Sequence, residues 1–141
     1  MAFRTINKET TKRKFIMHEY PRINIPDIDE QHGHLVCLMD LLTQQLVNED
    51  ESVVLATLCN ITFKLHDHFV YEELHMGNSM YPLLDVHRAE HTKLRQNMLQ
   101  MLYFKEDNIT TEDIIKRLMN ILLVHIGYCD MDYSNWLAKQ K

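Results

Sequence analysis

Glycine and proline are scarce in this chain, at three residues each in 141. β-Rich folds spend such residues on their turns, so the scarcity favours long helices joined by short links. The only cysteines, Cys37, Cys59 and Cys129, are scattered without a CxxC spacing. That pattern supports neither a disulfide framework nor a zinc knuckle, and it fits reduced thiols in a cytoplasmic protein. No apolar run approaches the roughly 18 residues that a membrane span requires. The formal net charge of −5 gives no basic footprint for nucleic acid or an anionic membrane. There is no internal repeat and no low-complexity segment.

What remains is ordinary in bulk and unusual in one respect. Hydrophobic content of 45% and charged content of 25% are those of a globular protein, and residues 1–141 are read as one domain. Nine of its residues are histidine. The first fifteen residues, MAFRTINKETTKRKF, are charged and lack an apolar period. They are expected to form a loosely ordered arm without the apolar core of a secretion signal. Ile16 to Pro26, aromatic and proline-punctuated, is expected to cross the end of the fold as irregular chain.

Four helical stripes follow, over about residues 27–138. The first helix is expected from an N-capping Asp27, with Glu30 completing a capping box. Its stripe is Ile28, His32, Leu35, Met39, Leu42 and Leu46. The second is expected from Asn48, partnered by Glu51, with Val54, Leu58, Ile61, Leu65, His68 and Glu72 on one face. Pro82 suits the first turn of the third, whose stripe is Leu84, His87, His91, Leu94, Met98 and then Met101 or Leu102. Thr110 and Asp113 cap the fourth, with Ile114, Ile115, Leu118, Leu122 and His125 inward. The fold class is therefore all-α, an antiparallel up-down-up-down four-helix bundle with an irregular N-terminal arm.

Ionisable residues continue these apolar stripes without a break in period. Residues four apart on a helix share a face, so His68 with Glu72 and His87 with His91 can each reach one point. His32 lies early on the first helix and His125 late on the fourth. In antiparallel order, early on helices one and three matches late on two and four, so the groups meet at one level. An isolated buried ionisable group is costly unless paired or metal-bound. Asp130 lies five residues after His125, about 140° round a regular helix. Both face inward only if the helix tightens, widens or ends there, as a π-bulge or a break beside Gly127 would allow; otherwise Asp130 is a surface acid past the helix end. Five imidazoles, two bridging carboxylates and an oxo or hydroxo bridge fill eleven of the twelve positions around two octahedral ions. A nitrogen and carboxylate donor set without thiolate suits iron or manganese.

This pattern closely resembles the hemerythrin family, in particular its single-domain bacterial members. The matching segments are IDEQH, HFVYEE, YPLLDVHRAEH and HIGYCD, and a member of the family is among the handful of standard four-helix bundles. The resemblance implies a non-haem di-iron centre that binds dioxygen reversibly, for storage, delivery or sensing, with no catalytic residue. It implies that His87, His91 and His125 hold the six-coordinate iron and that His32 and His68 hold the iron with an open position. Glu72 and Asp130 match the bridging carboxylates. The sequence departs from the family at Ile121, where a tryptophan is frequent, and near Phe15 and His18, where another is common. Those departures bear on the pocket, not on the metal ligands.

Other readings of the same site are a di-iron oxidase or peroxidase, or a nitric oxide or iron-handling protein. A ferritin-like oxidase would need two Glu-x-x-His motifs, and only Glu72 to His75 supplies one. His18, His34, His66 and His75 are expected not to be ligands. Leu35 and Leu122, each one turn from a ligand histidine, are expected to line the oxygen pocket. A monomer is slightly favoured.

Overall fold

Pro26 opens the first helix, having a fixed φ and no amide hydrogen to leave unpaired. The computed structural model describes residues 18–104 and 108–141, and the expected arm at 1–15, with Phe15, lies outside them. Helices α1 (Pro26–Gln45), α2 (Glu51–Asn78), α3 (Leu84–Tyr103) and α4 (Thr111–His125) follow in order. A π-helical segment, Ile126–Asp130, then joins α4 to α5 (Met131–Ala138) without a break. There is no strand among the described residues. Helix α1 packs on α2 and α4, and α3 packs on α2 and α4, closing a four-helix bundle of antiparallel neighbours.

Three helix starts differ from the sequence reading. Ile25, not Asp27, is the N-cap of α1, because Pro26 pre-sets the first turn. The acidic residue that works at this corner is Asp29, whose carboxylate accepts hydrogen bonds from the amides of Ile23 (2.8 Å) and Asn24 (3.0 Å). It thereby fixes the incoming chain, where Asn24 takes a left-handed φ of 63°. Helix α2 starts later than expected, after Asp50, and has no side-chain cap. Pro82 stands in the turn before α3, whose N-cap is Leu83. At α4 the full capping box forms: Thr110 Oγ accepts from the Asp113 amide and the Asp113 carboxylate from the Thr110 amide.

The stripes become the core. Ile28, Leu35, Met39 and Leu42 of α1, Val54, Leu58, Ile61 and Leu65 of α2, and Ile114, Ile115, Leu118 and Leu122 of α4 are buried. Helix α3 contributes less: Met98 is buried, but Leu84 and Leu94 are only half so. Beyond the last ionisable core residues the bundle is sealed by Tyr81, Tyr133 and Trp136, with ring centroids 4.9 Å apart for the tyrosines and 5.2 Å for Tyr81 and Trp136. No helix among the described residues is long and apolar enough to cross a membrane.

Candidate metal centre

Each helix delivers its ionisable residues by the same periodicity that buries its leucines. His32 comes from α1, His68 and Glu72 from α2, His87 and His91 from α3, and His125 from α4, all of them buried. Asp130 needs the π segment. An i→i+5 turn replaces the regular one there, which brings the carboxylate to 3.0 Å from His125 Nε2. The distortion expected from the five-residue spacing is present, and it covers Gly127.

All five imidazoles turn Nε2 inward, toward two carboxylates. Glu72 Oε2 lies 2.8 Å from His68 and 3.6 Å from His32, and its Oε1 lies 2.8 Å from His87 and 3.5 Å from His91. Asp130 Oδ2 lies 3.1 Å from His32, and its Oδ1 lies 3.1 Å from His87. His91 Nε2 and His125 Nε2 face each other at 3.1 Å. The donor atoms fall into two groups, each spanning no more than 4.8 Å: Glu72, His87, His91, His125 and Asp130, and His32, His68, Glu72 and Asp130. Both carboxylates belong to both groups.

Proximity here is not the same as hydrogen bonding. The Nε2 atoms of His32 and His68, Oε2 of Glu72 and both oxygens of Asp130 are buried and lack a hydrogen-bond partner. Buried polar groups that converge in this way leave a donor set for a cation, and unsatisfied groups of this kind are rare unless an ion or a function explains them. The residues suit a metal centre, with Glu72 and Asp130 common to both groups. The set contains no thiolate, and Cys37, Cys59 and Cys129 belong to neither group.

The electrostatics carry the same message. Burial pulls the His32 imidazole down, but Asp130 and Glu72 outweigh it and raise the group to about 9. His87 is raised to about 9 against the same burial cost, by Asp130 and Glu72. His125 rises to about 10, through Asp130 and Cys129. Burial would push Glu72 up, yet four surrounding imidazoles hold it well below the ordinary carboxylate range. Asp130 is also lowered: burial and the Glu72 charge oppose this, and His125, His32 and His87 prevail. The imidazoles and the two carboxylates thus favour one another's charged forms.

The remaining histidines lie elsewhere. His18 pairs with Asp40 through its backbone amide and its ring. His34 is exposed, and His66 accepts from Arg95 Nε at 3.0 Å. His75 binds the Tyr133 hydroxyl at 2.6 Å, one turn beyond Glu72. None of the four enters either donor group.

Sequence reading missed the outer partners. Gln31 Oε1 holds His68 Nδ1 at 2.6 Å, and Glu73 Oε1 holds His91 Nδ1 at 2.8 Å. Phe69 stacks on His91 with centroids 4.0 Å apart and planes 12° off parallel. Gln31 and Glu73 are chain neighbours of His32 and Glu72, but each serves a histidine of another helix, so spacing along one helix does not reveal them.

No curated protein and no solved structure matches the chain. The family comparison does: the hemerythrin HHE cation binding domain matches residues 24–137, a stretch that contains all seven converging residues. With this match over most of its length, and with the bundle and the buried donors that the resemblance implied, the chain belongs to the hemerythrin family.

Proposed function

We propose that the protein binds dioxygen reversibly at a pair of iron ions held by His32, His68, Glu72, His87, His91, His125 and Asp130. The observation that carries this reading is the sharing of Glu72 and Asp130 between a group with three imidazoles and a group with two. Two ions held by these residues would have unequal donor sets, and the two-imidazole group would leave room for a small ligand. Nitrogen and carboxylate donors in this ratio suit iron. When bound, the irons supply both the electrons and the open position that dioxygen requires.

The chain's own residues do the rest. Glu72 and Asp130 offset the charge of two cations in a buried site and hold them at a fixed separation. Leu35 and Leu122, 4% and 3% exposed, are apolar walls one turn from His32 and His125, and they limit water at the ligand position.

The test is optical. Reduced, iron-loaded protein is exposed to air and then flushed with inert gas. A charge-transfer band that forms in air and fades on flushing, with one dioxygen taken up per iron pair, is the expected result. A band that forms once, does not reverse and is accompanied by hydrogen peroxide release marks an oxidase and overturns the reading. Preferential, irreversible trapping of nitric oxide marks a scavenger.

A further inference from the structure

The two donor groups differ in what supports their histidines from outside, and this difference rests on charge. His91, which belongs only to the three-imidazole group, presents Nδ1 to the Glu73 carboxylate. His68, which belongs only to the two-imidazole group, presents Nδ1 to the Gln31 amide oxygen. Two arginines flank Glu73. Arg88 Nε lies 3.6 Å from its Oε2, and an Arg95 terminal nitrogen lies 3.7 Å from Oε1, the oxygen that faces His91. Arg95 is itself fixed, with Nε bonded to His66 and its guanidinium 5.3 Å over the Phe69 ring that stacks on His91.

A hydrogen-bond acceptor on Nδ1 fixes the tautomer that leaves Nε2 free for a metal and sets the plane of the ring. An anionic acceptor does more than a neutral one. It draws on the Nδ1 proton and makes the imidazole a stronger donor, while Arg88 and Arg95 beside it offset part of its charge.

Building on the di-metal reading above, we propose that Glu73 is a positioning and charge-setting residue. Through His91 it makes the three-imidazole position the one that holds the higher-charged ion, while neutral Gln31 leaves the His68 position better suited to the lower-charged one. The protein thus carries its asymmetry twice, in the number of imidazoles and in the partners behind them. Glu73 touches no metal in this scheme, and its influence passes through the imidazole of His91.

The experiment separates charge from orientation. Glu73→Gln keeps an acceptor of the same shape and removes only the charge, Glu73→Ala removes both, and Gln31→Glu adds a charge at the other end. Metal-free protein is titrated with cobalt(II) alone, and the iron-loaded forms are titrated for their one-electron potentials. Wild type is expected to bind cobalt in two steps. Glu73→Gln should weaken one step about tenfold and Glu73→Ala up to about 100-fold, the range that outer partners of metal-bound histidines command. Glu73→Gln should also favour the reduced state of one iron about tenfold, ~59 mV upward for a one-electron couple. Gln31→Glu should move the other iron's potential downward, with unchanged thermal unfolding of the metal-free forms as the control. If Glu73→Gln misfolds, Gln31→Glu decides the question alone. Two cobalt steps and two potentials that stay at wild-type values in every folded variant overturn the role of Glu73 and leave the di-metal reading standing. A wild-type chain that takes up no cobalt and no iron overturns both.

Discussion

The two ends of this bundle are built by the same helices on the same periodicity, yet they are held together differently. At one end Met39, Leu42, Val54, Leu58, Ile114 and Ile115 fill the core with apolar side chains, and the buried polar residue beside them, Thr111, is neutral and hydrogen-bonded to Glu51. That end is stabilised by removal of apolar surface from water and by close packing. At the other end the same stripes deliver five imidazoles and two carboxylates, with Glu72, His32, His91 and Asp130 each 0% exposed. Such groups cost free energy to bury unless something ties them together. The comparison teaches that packing suffices for the apolar end, whereas the buried groups of the donor end must be balanced by one another or by a bound ion.

The comparison breaks most sharply at Glu72. Glu72→Ala removes one of the two donors shared by both groups, so iron content should fall from about two per chain to well below one, by metal analysis. His68→Ala takes one bond from one ion and should leave about one iron per chain. Equal losses from the two variants would sink the bridging role.

The apolar end should show the opposite response. Leu58 is 0% exposed and lies far from the donors along α2. Leu58→Ala should cost ~2–5 kcal/mol of unfolding free energy in a denaturant titration, with iron content and the reversible band retained. A loss of iron in folded Leu58→Ala would mean that the two ends are not separable.

Acidity sharpens the same contrast in the metal-free chain. His32, His87 and His125 are raised from 6.5 to about 9, 9 and 10. Groups raised by folding stabilise fully below 6.5, and that contribution is lost as pH climbs through 9 to 10. Glu72 and Asp130 are lowered from 4.5 and 3.8. Their contribution is present above those values and is lost as pH falls further. Metal-free protein should therefore be most stable between about 4.5 and 6.5, with unfolding monitored by circular dichroism across pH. Metal must displace the histidine protons, so its affinity should rise with pH across the same upper range. A metal-free stability that grows from pH 6.5 to 9 would contradict this mutual charge pairing.

The smallest effect is expected at His75. It lies on the donor side of α2 but bonds Tyr133, not the cluster. His75→Ala should keep about two irons per chain and lose only ~1 kcal/mol, because the Tyr133 hydroxyl still donates to Ser79. Loss of iron would mean that the donor set is incomplete.

Much of this was legible in the residues. The helical period placed Leu35, Met39, Leu58, Leu65, Ile114 and Leu122 in the core. The spacing of His125 and Asp130 lets both face inward only through a distorted turn or a helix end, and a distorted turn is present. The helix starts were less legible where signals competed: Asp27 and Glu30 look like a capping box, but Pro26 outranks them because its ring fixes φ before any side chain can act. Pro82 likewise stands in a turn whose geometry the helix signal could not convey.

The sequence by itself determined which faces of the helices are buried and that ionisable groups interrupt them, because both follow from periodicity along one element. Only the tertiary structure decided that all five Nε2 atoms point inward, and that Gln31 stands behind His68 while Glu73 stands behind His91. Those relations cross from one helix to another. They depend on axial offset and ring rotation, which packing between helices sets and spacing within a helix does not.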